Sequence, residues 1–400
     1  MTPEVVVTGV GAVTPLGTGA DTVIERWRAG DTAFGDGLAR CDDFKPQDFM
    51  SIKEARRTDR FTQLAVGAAE EALARAGWSD DIPYDPFRVS CVIGTGIGGH
   101  ETLERSLASY GADGEVSPIA IPRLMANGAA ATIAMRRKLH GPSVAVASAC
   151  ASGADAVAAG ARLIRSGEAD AAVVGGSESA ISSFVQSAFA AMGAISKSDV
   201  CRPFDARRDG FVLAEGAAAL VLERGDSARA RGAASLGRLA GTGSSSDAYH
   251  ITAPADDGKV AARAITNALA DASIGAQDLL YVNAHGTGTS LNDRSETEAL
   301  KRALGSAAGE VPVSSLKSSI GHSLGAAGAI EAVATLLALR SGVAPPTLGF
   351  EEREEGLDLD YVGGGEQPLR EASNGWRYGI SNSFGFGGHN VVLAFAVASA

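Results

Sequence analysis

Short apolar runs alternate along the chain with longer alanine-rich segments in which apolar and polar positions follow a helical period. Several of the short runs are apolar at every position, which is typical of strands buried on both faces of a sheet. The alternation predicts an α/β fold in which helices cover the sheets. The predicted strands span residues 4–8, 89–93, 143–147, 171–174, 217–222, 279–283, 311–314, 377–380 and 390–395. The predicted helices span residues 59–76, 153–166, 260–272 and 326–340.

The succession of strand, helix and glycine-rich turn occurs twice along the chain. A break falls at residues 228–234, where the sequence reads ARARGAA after one strand and before a fresh strand–helix series. We therefore interpret residues 1–232 and 233–400 as two similar halves that pack together. A length of 400 residues agrees with one large fold that contains an internal repeat.

Composition narrows the class of protein. Hydrophobic residues make up 45% of the chain and charged residues 20%, which excludes a disordered protein. The net charge of −12, from 35 basic and 47 acidic residues, argues against a nucleic-acid-binding protein, because such a protein needs a basic surface. An acidic partner would therefore have to dock on a local cluster of basic residues.

The cysteines and the N-terminus predict a cytoplasmic protein. The cysteines, Cys41, Cys91, Cys150 and Cys201, form no CxxC motif and lack the density of a secreted disulfide scaffold. The N-terminal segment has no basic region followed by an apolar stretch, so it does not resemble a signal peptide. Glycines and charges interrupt the apolar runs, and we expect no membrane span.

Cys150 is the first candidate for chemistry. A predicted strand runs into the motif SACASG, and an alanine-rich helix begins directly afterwards. This pattern predicts a tight turn that presents the thiol at the positive end of a helix, where its pKa would be lowered. Cys91, in contrast, lies inside a predicted strand and fits a small buried apolar residue.

Two histidines occupy similar positions in the second half. His285 lies in NAHGTGT after a predicted strand, and His322 lies in GHSLGAAG before a predicted helix. One cysteine with distant histidine partners is the pattern of a cysteine nucleophile. No two candidate ligands have metal-binding spacing, so we predict no metal site.

Two glycine-rich loops complete the candidate set. The segment 94–99, GTGIGG, has the form GxGxxG, but the acidic residue about 20 positions later, Glu115, is not at a predicted strand end. We therefore favour a closely packed turn and keep an NAD-dependent oxidoreductase as a weaker alternative. The C-terminal loop NSFGFGGHN contains Phe384 and Phe386 before the last strand, which suggests a gate whose backbone N–H groups could bind an anion.

Together these motifs resemble the elongating β-ketoacyl–acyl-carrier-protein synthases, which have the thiolase fold. The resemblance covers essentially the whole chain, through VVVTGVGAVTPLG, SACASG, CRPFDARRDGFVLAEGAAALVLE, SSDAYHIT, NAHGTGT, LKSSIGHSLGAAGAIE and NSFGFGGHN. It implies five layers, α-β-α-β-α, built from two thiolase-like halves, and usually a dimer. The implied reaction is a decarboxylative Claisen condensation that lengthens an acyl chain by two carbons. The substrates would arrive on the phosphopantetheine arm of acyl carrier protein, with no cofactor of the enzyme's own.

The resemblance also implies roles for individual residues. Cys150 would carry the acyl chain as a thioester, and the N–H groups of Cys150 and Phe386 would form the oxyanion hole, with Phe386 also acting as a gate. His285 and His322 would hydrogen-bond the malonyl thioester carbonyl during decarboxylation. The other implied residues are the charged pair Lys317 and Glu331; Thr287 and Thr289 for the phosphopantetheine arm; Ile97, Phe189 and Ala120 for the acyl pocket; Asp293 and Glu296 as structural support; and Lys53, Arg56 and Arg57 for carrier-protein docking.

Departures from the family pattern leave the pathway open. The segment 190–201 is short, Ala120 stands where phenylalanine is frequent, and Gly114 and Glu115 stand where the family has basic residues. A ketosynthase of a type II polyketide or polyene pathway, paired with a chain-length-factor subunit, is therefore the close alternative to a fatty-acid enzyme. The pattern leaves both a homodimer and a heterodimer open.

Other members of the superfamily fit less well. Thiolases use a second cysteine late in the chain, whereas the last cysteine here is Cys201. Initiating synthases pair their cysteine with histidine and asparagine, whereas this chain offers His285 and His322. A catalytically silent structural subunit is the remaining alternative, and the presence of Cys150 argues against it.

Overall fold

The computed structural model of the chain describes residues 2–399. Within these residues, one mixed sheet contains two sets of five strands, and the short strand Gly17–Thr18 pairs only with the first. The first set is β1 (Val5–Thr14), β2 (Val89–Gly94), β3 (Ser143–Val146), β4 (Ala171–Glu178) and β5 (Gly216–Arg224). The second set is β6 (Gly237–Ser246), β7 (Leu279–Asn283), β8 (Val313–Ser314), β9 (Trp376–Gly385) and β10 (His389–Ala398).

The two sets have the same topology. The strand order is β3-β2-β4-β5-β1 in the first set and β8-β7-β9-β10-β6 in the second. In each set three neighbouring strands are parallel, and the last two are antiparallel to their neighbours. Strands β1 and β6 join the sets through the pairs Val6–Arg238 and Val7–Gly237. The repeat predicted from the sequence is therefore present, while the boundary between residues 232 and 233 stays a prediction.

Helices complete a five-layered α-β-α-β-α arrangement, as expected for the thiolase fold. Helices α1 (Arg60–Arg75) and α2 (Gly128–Arg137) cover the outer face of the first set of strands. Helices α3 (Ser152–Arg165) and α6 (Ala327–Ser341) form the middle layer and contact strands of both sets. Helix α4 (Lys259–Asp271) covers the second set, and α5 (Ser290–Leu304) packs beside it.

The remaining elements connect these layers. The remaining α-helices are Ala20–Arg28, Ile52–Ala55, His100–Asp113, Ala120–Leu124, Ser183–Ala191, Gly225–Ala230 and Lys317–Ile320. The 3₁₀ helices are Pro46–Asp48, Pro86–Arg88, Ala276–Asp278, Gly305–Gly309 and Leu324–Ala326. The remaining short strands are Leu38–Ala39, Leu213–Ala214, Val343–Ala344 and Gln367–Pro368.

Glycines allow a helix to pack directly on the backbone of β1 and of β6. A Cβ atom at Gly9 would lie 2.0 Å from the carbonyl oxygen of Ala72 in α1, and one at Gly243 would lie 2.0 Å from that of Ala264 in α4. The strand pattern therefore contains glycine where an apolar side chain would ordinarily mark a buried position. For this reason the sequence predicts only the first part of β1 and does not predict β6.

Helix α6 forms part of the core. The stretch Leu324–Ser341 is long and apolar enough to cross a membrane by length and composition, with a mean hydropathy of 1.4. Glycines and the charged residues Glu331 and Arg340 interrupt this stretch, as the sequence predicts, but its average composition is still apolar enough. Because 89% of it is buried inside the protein, it is accounted for as a core helix.

Candidate active site

The turn between β3 and α3 places Cys150 at a tight elbow. Ala149 has a φ angle of 50°, which is strained for a residue with a Cβ atom. The Ser152 hydroxyl accepts a hydrogen bond from the Ser148 N–H at 2.9 Å and donates one to the Ala149 carbonyl at 2.6 Å. The elbow predicted from the sequence is confirmed, and it leaves the thiol of Cys150 almost completely buried.

Both candidate histidines lie beside this thiol. The Nε2 atom of His322 is 3.1 Å from the Cys150 sulfur, and the centroids of the His285 and His322 rings are 5.4 Å apart. The backbone of His322 pairs with the segment 212–214, because its N–H donates to the Val212 carbonyl and its carbonyl accepts from the Ala214 N–H. Three side chains far apart in sequence therefore meet in one site.

Burial keeps both imidazoles neutral. It lowers the pKa of His285 and of His322 well below the usual value, and the ammonium group of Lys317 lowers both further. The Lys317 ammonium also lies 3.4 Å from Nδ1 of His285. Because an ammonium group can only donate, Nδ1 accepts and the ring proton is on Nε2. His285 is therefore fixed as an Nε2–H donor.

Lys317 is itself held by Glu331. Its ammonium group donates to the Glu331 carboxylate, and both side chains are buried. Burial raises the pKa of Glu331 to about 7, although the neighbouring ammonium opposes this shift. The charged pair implied by the family resemblance is thus placed directly behind His285.

The pKa of Cys150 differs from the sequence-based prediction. Burial raises the pKa of this thiol to about 11, whereas its position before a helix was expected to lower it. Lys317 and a hydrogen bond from the Phe386 N–H both lower the pKa, but desolvation of the thiolate outweighs them. The thiol is therefore protonated at neutral pH and needs a base, and the nearest neutral base is His322.

The turn between β9 and β10 lies against the elbow, and the predicted loop NSFGFGGHN is reduced to residues 386–388 because its two ends belong to these strands. The Phe386 N–H donates to the Cys150 sulfur, and a Cβ atom at Gly385 would lie 2.6 Å from the Ser148 carbonyl oxygen. The Phe386 ring is 6.2 Å from the ring of Phe189. The N–H group of Phe386 therefore faces the thiol, and its role in an oxyanion hole stays a prediction.

A cavity of about 300 Å³ opens over the thiol. Among the predicted residues, its lining includes Cys150, His285, His322, Thr287, Thr289, Phe189 and Phe386. The hydroxyl groups of Thr287 and Thr289 are 2.8 Å apart at its wall.

Three predicted groups lie away from this cavity. Ile97 has a side chain that is 44% exposed, and Ala120 is buried elsewhere, so neither lines the cavity in the single chain. Lys53, Arg56 and Arg57 are exposed on and just after the helix Ile52–Ala55. Their roles stay predictions.

Asp293 and Glu296 hold the turn that carries His285. Glu296 accepts hydrogen bonds from the N–H groups of His285, at 2.8 Å, and Gly286, at 2.7 Å. Asp293 accepts from the N–H groups of Phe204 and Gly288. Burial raises the pKa of both carboxyl groups. Asp293 and Glu296 therefore hold the backbone of residues 285–288 in place.

The GTGIGG loop is closed by a carboxylate of this chain. The N–H groups of Gly96 and Ile97 donate to Glu178, at 2.6 and 3.3 Å. These are N–H groups that a dinucleotide phosphate would need, so this contact argues against the oxidoreductase alternative. Within residues 2–399, no group of three or more His, Cys, Asp or Glu side chains is placed to hold a metal ion.

Two residues at the site were missed in the sequence. The ring of Phe211 meets His322 edge-on, with centroids 5.0 Å apart, and Glu178 is the carboxylate just described. Phe211 follows a glycine in RRDGF, and Glu178 ends the apolar run AAVVGGSE. A polar residue at the end of a buried strand, or an aromatic residue after a glycine, is the signal that could have identified them.

Comparison with known proteins agrees with this site. The family model for the N-terminal domain of β-ketoacyl synthase matches residues 2–228, and that for the C-terminal domain matches residues 236–351. The chain therefore belongs to the β-ketoacyl synthase family, whose members are acyltransferases that form carbon–carbon bonds.

Individual relatives resemble the chain over its full length. The 3-oxoacyl-[acyl-carrier-protein] synthase 2 of Synechocystis sp. is 41% identical over 413 residues, covering 98% of this chain and 97% of that protein. The structure of the ishigamide ketosynthase/chain length factor matches with a TM-score of 0.91 and 32% identity, covering 100% of both chains. The structure of AntDE:AntF, a type II polyketide synthase acyl-carrier protein in complex with its ketosynthase, matches with a TM-score of 0.89 and 29% identity, again over 100% of both.

Proposed function

We propose that this chain uses Cys150, His285 and His322 to condense an acyl chain with a malonyl group, both delivered by acyl carrier protein. The observation that carries this proposal is the 3.1 Å distance between the Cys150 sulfur and Nε2 of His322, beside a second neutral imidazole fixed as a donor. The arrangement provides a nucleophile, a base and a hydrogen-bond donor in one buried cavity.

Acyl transfer to the enzyme is the first step. As the Cys150 sulfur attacks the thioester carbonyl, its proton passes to Nε2 of His322. The N–H groups of Cys150 and Phe386 stabilise the oxyanion that forms on the carbonyl. The carbon–sulfur bond to the carrier arm then breaks, and His322 returns the proton to the departing sulfur. The products are acyl-Cys150 and a free carrier thiol.

Decarboxylation and condensation follow. The Nε2–H groups of His285 and His322 donate to the carbonyl of the malonyl thioester and stabilise the enolate as the bond to carbon dioxide breaks. The enolate carbon attacks the acyl-Cys150 carbonyl, and the Cys150 sulfur leaves as a thiolate that takes up one proton from solvent through His322. The carrier then holds a β-ketoacyl chain two carbons longer. All groups in this sequence come from the protein and its thioester substrates, so we propose no cofactor of the enzyme's own.

The partner is an acyl carrier protein with an acidic surface. Arg56 lines one surface groove, Arg57 lines the adjacent groove, and Arg123 lines both. On a chain with a net charge of −12, these arginines and Lys53 form a local basic surface for such a partner. Thr287 and Thr289 then bind the phosphopantetheine arm in the cavity. Replacing Arg57 with glutamate should slow acylation from the carrier protein and leave acylation from a free pantetheine thioester unchanged.

A dimer completes the acyl pocket in this proposal. Strand β3 lies at the end of the sheet, with Val144 exposed, and Ile97 and Ile121 present further exposed apolar side chains. The neighbour on this surface is either a second copy of the chain or a chain-length-factor-like subunit. The second arrangement corresponds to a type II polyketide ketosynthase, which the alanine at position 120 and the likeness to the ishigamide ketosynthase/chain length factor favour. We place the enzyme in the cytoplasm.

Intact-protein mass spectrometry tests the proposal. The protein is incubated with a panel of acyl-carrier-protein thioesters, alone and with a chain-length-factor subunit, and is expected to gain the acyl mass on the peptide that contains Cys150. Cys150→Ala should abolish the adduct, whereas Cys201→Ala, which removes another buried thiol, should retain it. A full adduct on Cys150→Ala, or no adduct in any pairing, would overturn the assignment.

A further inference from the structure

Glu178 is a buried carboxylate with four neutral hydrogen-bond donors. It is the last residue of β4 and is completely buried. One oxygen accepts from the Thr95 hydroxyl at 3.1 Å. The other accepts from the N–H groups of Gly96, Ile97 and Gly325, at 2.6, 3.3 and 3.3 Å. Hydrogen bonds rather than an ion pair therefore compensate for the burial of this group.

These donors belong to two segments that are distant in sequence. Residues 95–98 form the loop after β2, and residues 322–325 form the turn that begins with His322 and ends at Gly325. The two segments meet at the carboxylate with no spare room, because a Cβ atom at Gly325 would lie 2.2 Å from the Gly96 nitrogen and 2.7 Å from a Glu178 oxygen. One carboxylate thus joins a loop of the first half to a turn of the second.

The turn at residues 322–325 lines the cavity, whereas the loop at residues 95–98 does not line it in the single chain. Leu324, whose φ angle of 46° is strained, lines the cavity over Cys150 together with His322. Ile97 lies in the other segment, at the position proposed for the acyl pocket. The backbone of His322 is held on one side by Val212 and, three residues later, by the contact of Gly325 with Glu178.

We propose that Glu178 is a positioning residue that couples the loop at residues 95–98 to the turn that carries His322. An acyl chain that displaces the loop at Ile97 then also changes the position of His322. The length of the acyl chain therefore influences the rate of acylation at Cys150. The chain-length part of this inference rests on the proposed function; the coupling itself does not. Glutamine cannot replace the carboxylate fully, because a neutral amide oxygen accepts less strongly from three N–H groups than a carboxylate oxygen does.

Hydrogen exchange measured on Thr95→Val tests the coupling without any substrate. The substitution preserves the shape of the side chain and removes the hydroxyl group that donates to Glu178 and accepts from the Gly98 N–H within the same loop. If the carboxylate joins the two segments, exchange should quicken about fivefold in peptides that cover residues 95–98 and also in those that cover residues 322–325, which the Thr95 hydroxyl does not contact. Faster exchange confined to residues 95–98 would overturn the proposal.

Thr8→Val is the matched control. Thr8 is also a buried threonine whose hydroxyl donates to a completely buried glutamate, Glu223, at a place remote from His322. Its substitution should leave exchange in both segments unchanged, and an equal response to Thr8→Val would show a general loss of stability instead of coupling.

Acylation rates extend the test to function. In Glu178→Gln and Thr95→Val, octanoyl transfer to Cys150 should fall about tenfold relative to acetyl transfer, whereas Thr8→Val should leave this ratio unchanged. A merely structural role would lower both rates together. Coupled exchange with an unchanged ratio would refute the chain-length role alone. Absence of any acylation of the unmodified protein would refute the proposed function and leave the exchange result standing.

Discussion

His285 and His322 are alike in burial and charge but differ in what holds them. Both imidazoles are neutral and almost completely buried. Lys317 fixes the ring of His285 through Nδ1, and Glu296 holds its backbone N–H. In His322, Nε2 faces the Cys150 sulfur, and Nδ1 has no hydrogen-bond partner among the described residues.

This difference separates two chemical tasks. A ring whose tautomer is fixed by an ammonium group can only donate from Nε2, which suits the stabilisation of an enolate. A ring whose Nδ1 is not held by another group can adopt either neutral tautomer when solvent exchanges its protons. It can therefore first accept a proton from a thiol and later donate to a carbonyl. We therefore assign only the role of hydrogen-bond donor to His285. His322 serves both as the base for the thiol and as a second donor.

The largest expected effect comes from replacing each histidine separately. His285→Ala should lower malonyl decarboxylation about 10²–10³-fold and leave acylation of Cys150 nearly unchanged, because it removes only an enolate donor. His322→Ala should in addition lower acylation about 10²–10⁴-fold, because the protonated thiol loses its base. Acylation is followed by intact mass, and decarboxylation by release of labelled carbon dioxide.

Equal acylation rates in His285→Ala and His322→Ala would contradict this division of roles between the two histidines. That result would mean that the Cys150 thiol loses its proton without His322, and the role of His322 would then reduce to that of a second enolate donor. Unfolding temperatures measured alongside identify any loss of rate that comes from a loss of structure.

Lys317→Met removes the group that makes the two histidines different. Decarboxylation should fall about 10–100-fold, because nothing then fixes the tautomer of His285. The same change leaves Glu331 as an unpaired buried carboxylate, so stability should fall by about 3–5 kcal/mol. The double variant Lys317→Met/Glu331→Leu should recover most of the unfolding temperature but not the activity. Recovery of both would reduce Lys317 to a structural role.

Alkylation of Cys150 by iodoacetamide tests whether the thiol beside His322 is protonated at neutral pH. Because burial raises the pKa of this thiol to about 11, the thiolate fraction and the alkylation rate should rise about tenfold per pH unit from pH 7 to pH 9, without a plateau. A preformed thiolate–imidazolium pair would instead give a constant rate across this range. Since Lys317 lowers the pKa of Cys150, Lys317→Met should slow alkylation at each pH.

The sequence predicts the turn at Cys150 better than it predicts the electrostatics of the site. The elbow at Cys150 follows from small residues between a strand and a helix, and the structure confirms it. The direction of the Cys150 pKa shift was wrong, because helix position is visible in the sequence and burial by residues from the other half is not. In the same way, the motif around His285 does not reveal that Lys317 reaches Nδ1 from 32 positions further along the chain.

Close packing hides other features from the sequence. Strand β6 was not predicted, since Gly243 marks the backbone contact with α4 and not a turn. GTGIGG has the form of a phosphate-binding loop, yet its N–H groups serve Glu178, a residue from the neighbouring strand. Both errors have one cause, because a glycine in the sequence does not say which backbone or carboxylate approaches it.

The smallest expected effect uses the two phenylalanines that contact the histidines. Phe211 meets the ring of His322, with centroids 5.0 Å apart at 87°, and Phe384 lies 5.9 Å from the ring of His285. Aromatic contacts of this kind contribute about 0.5–1.5 kcal/mol, so replacement by leucine should change rates about two- to tenfold. Phe211→Leu should slow acylation of Cys150 more than decarboxylation, and Phe384→Leu should do the reverse. The two variants serve as controls for each other, because each removes an aromatic ring from the same cavity. Identical profiles would mean that the cavity responds as a whole, and the separation of roles between the two histidines would then lose its support from packing.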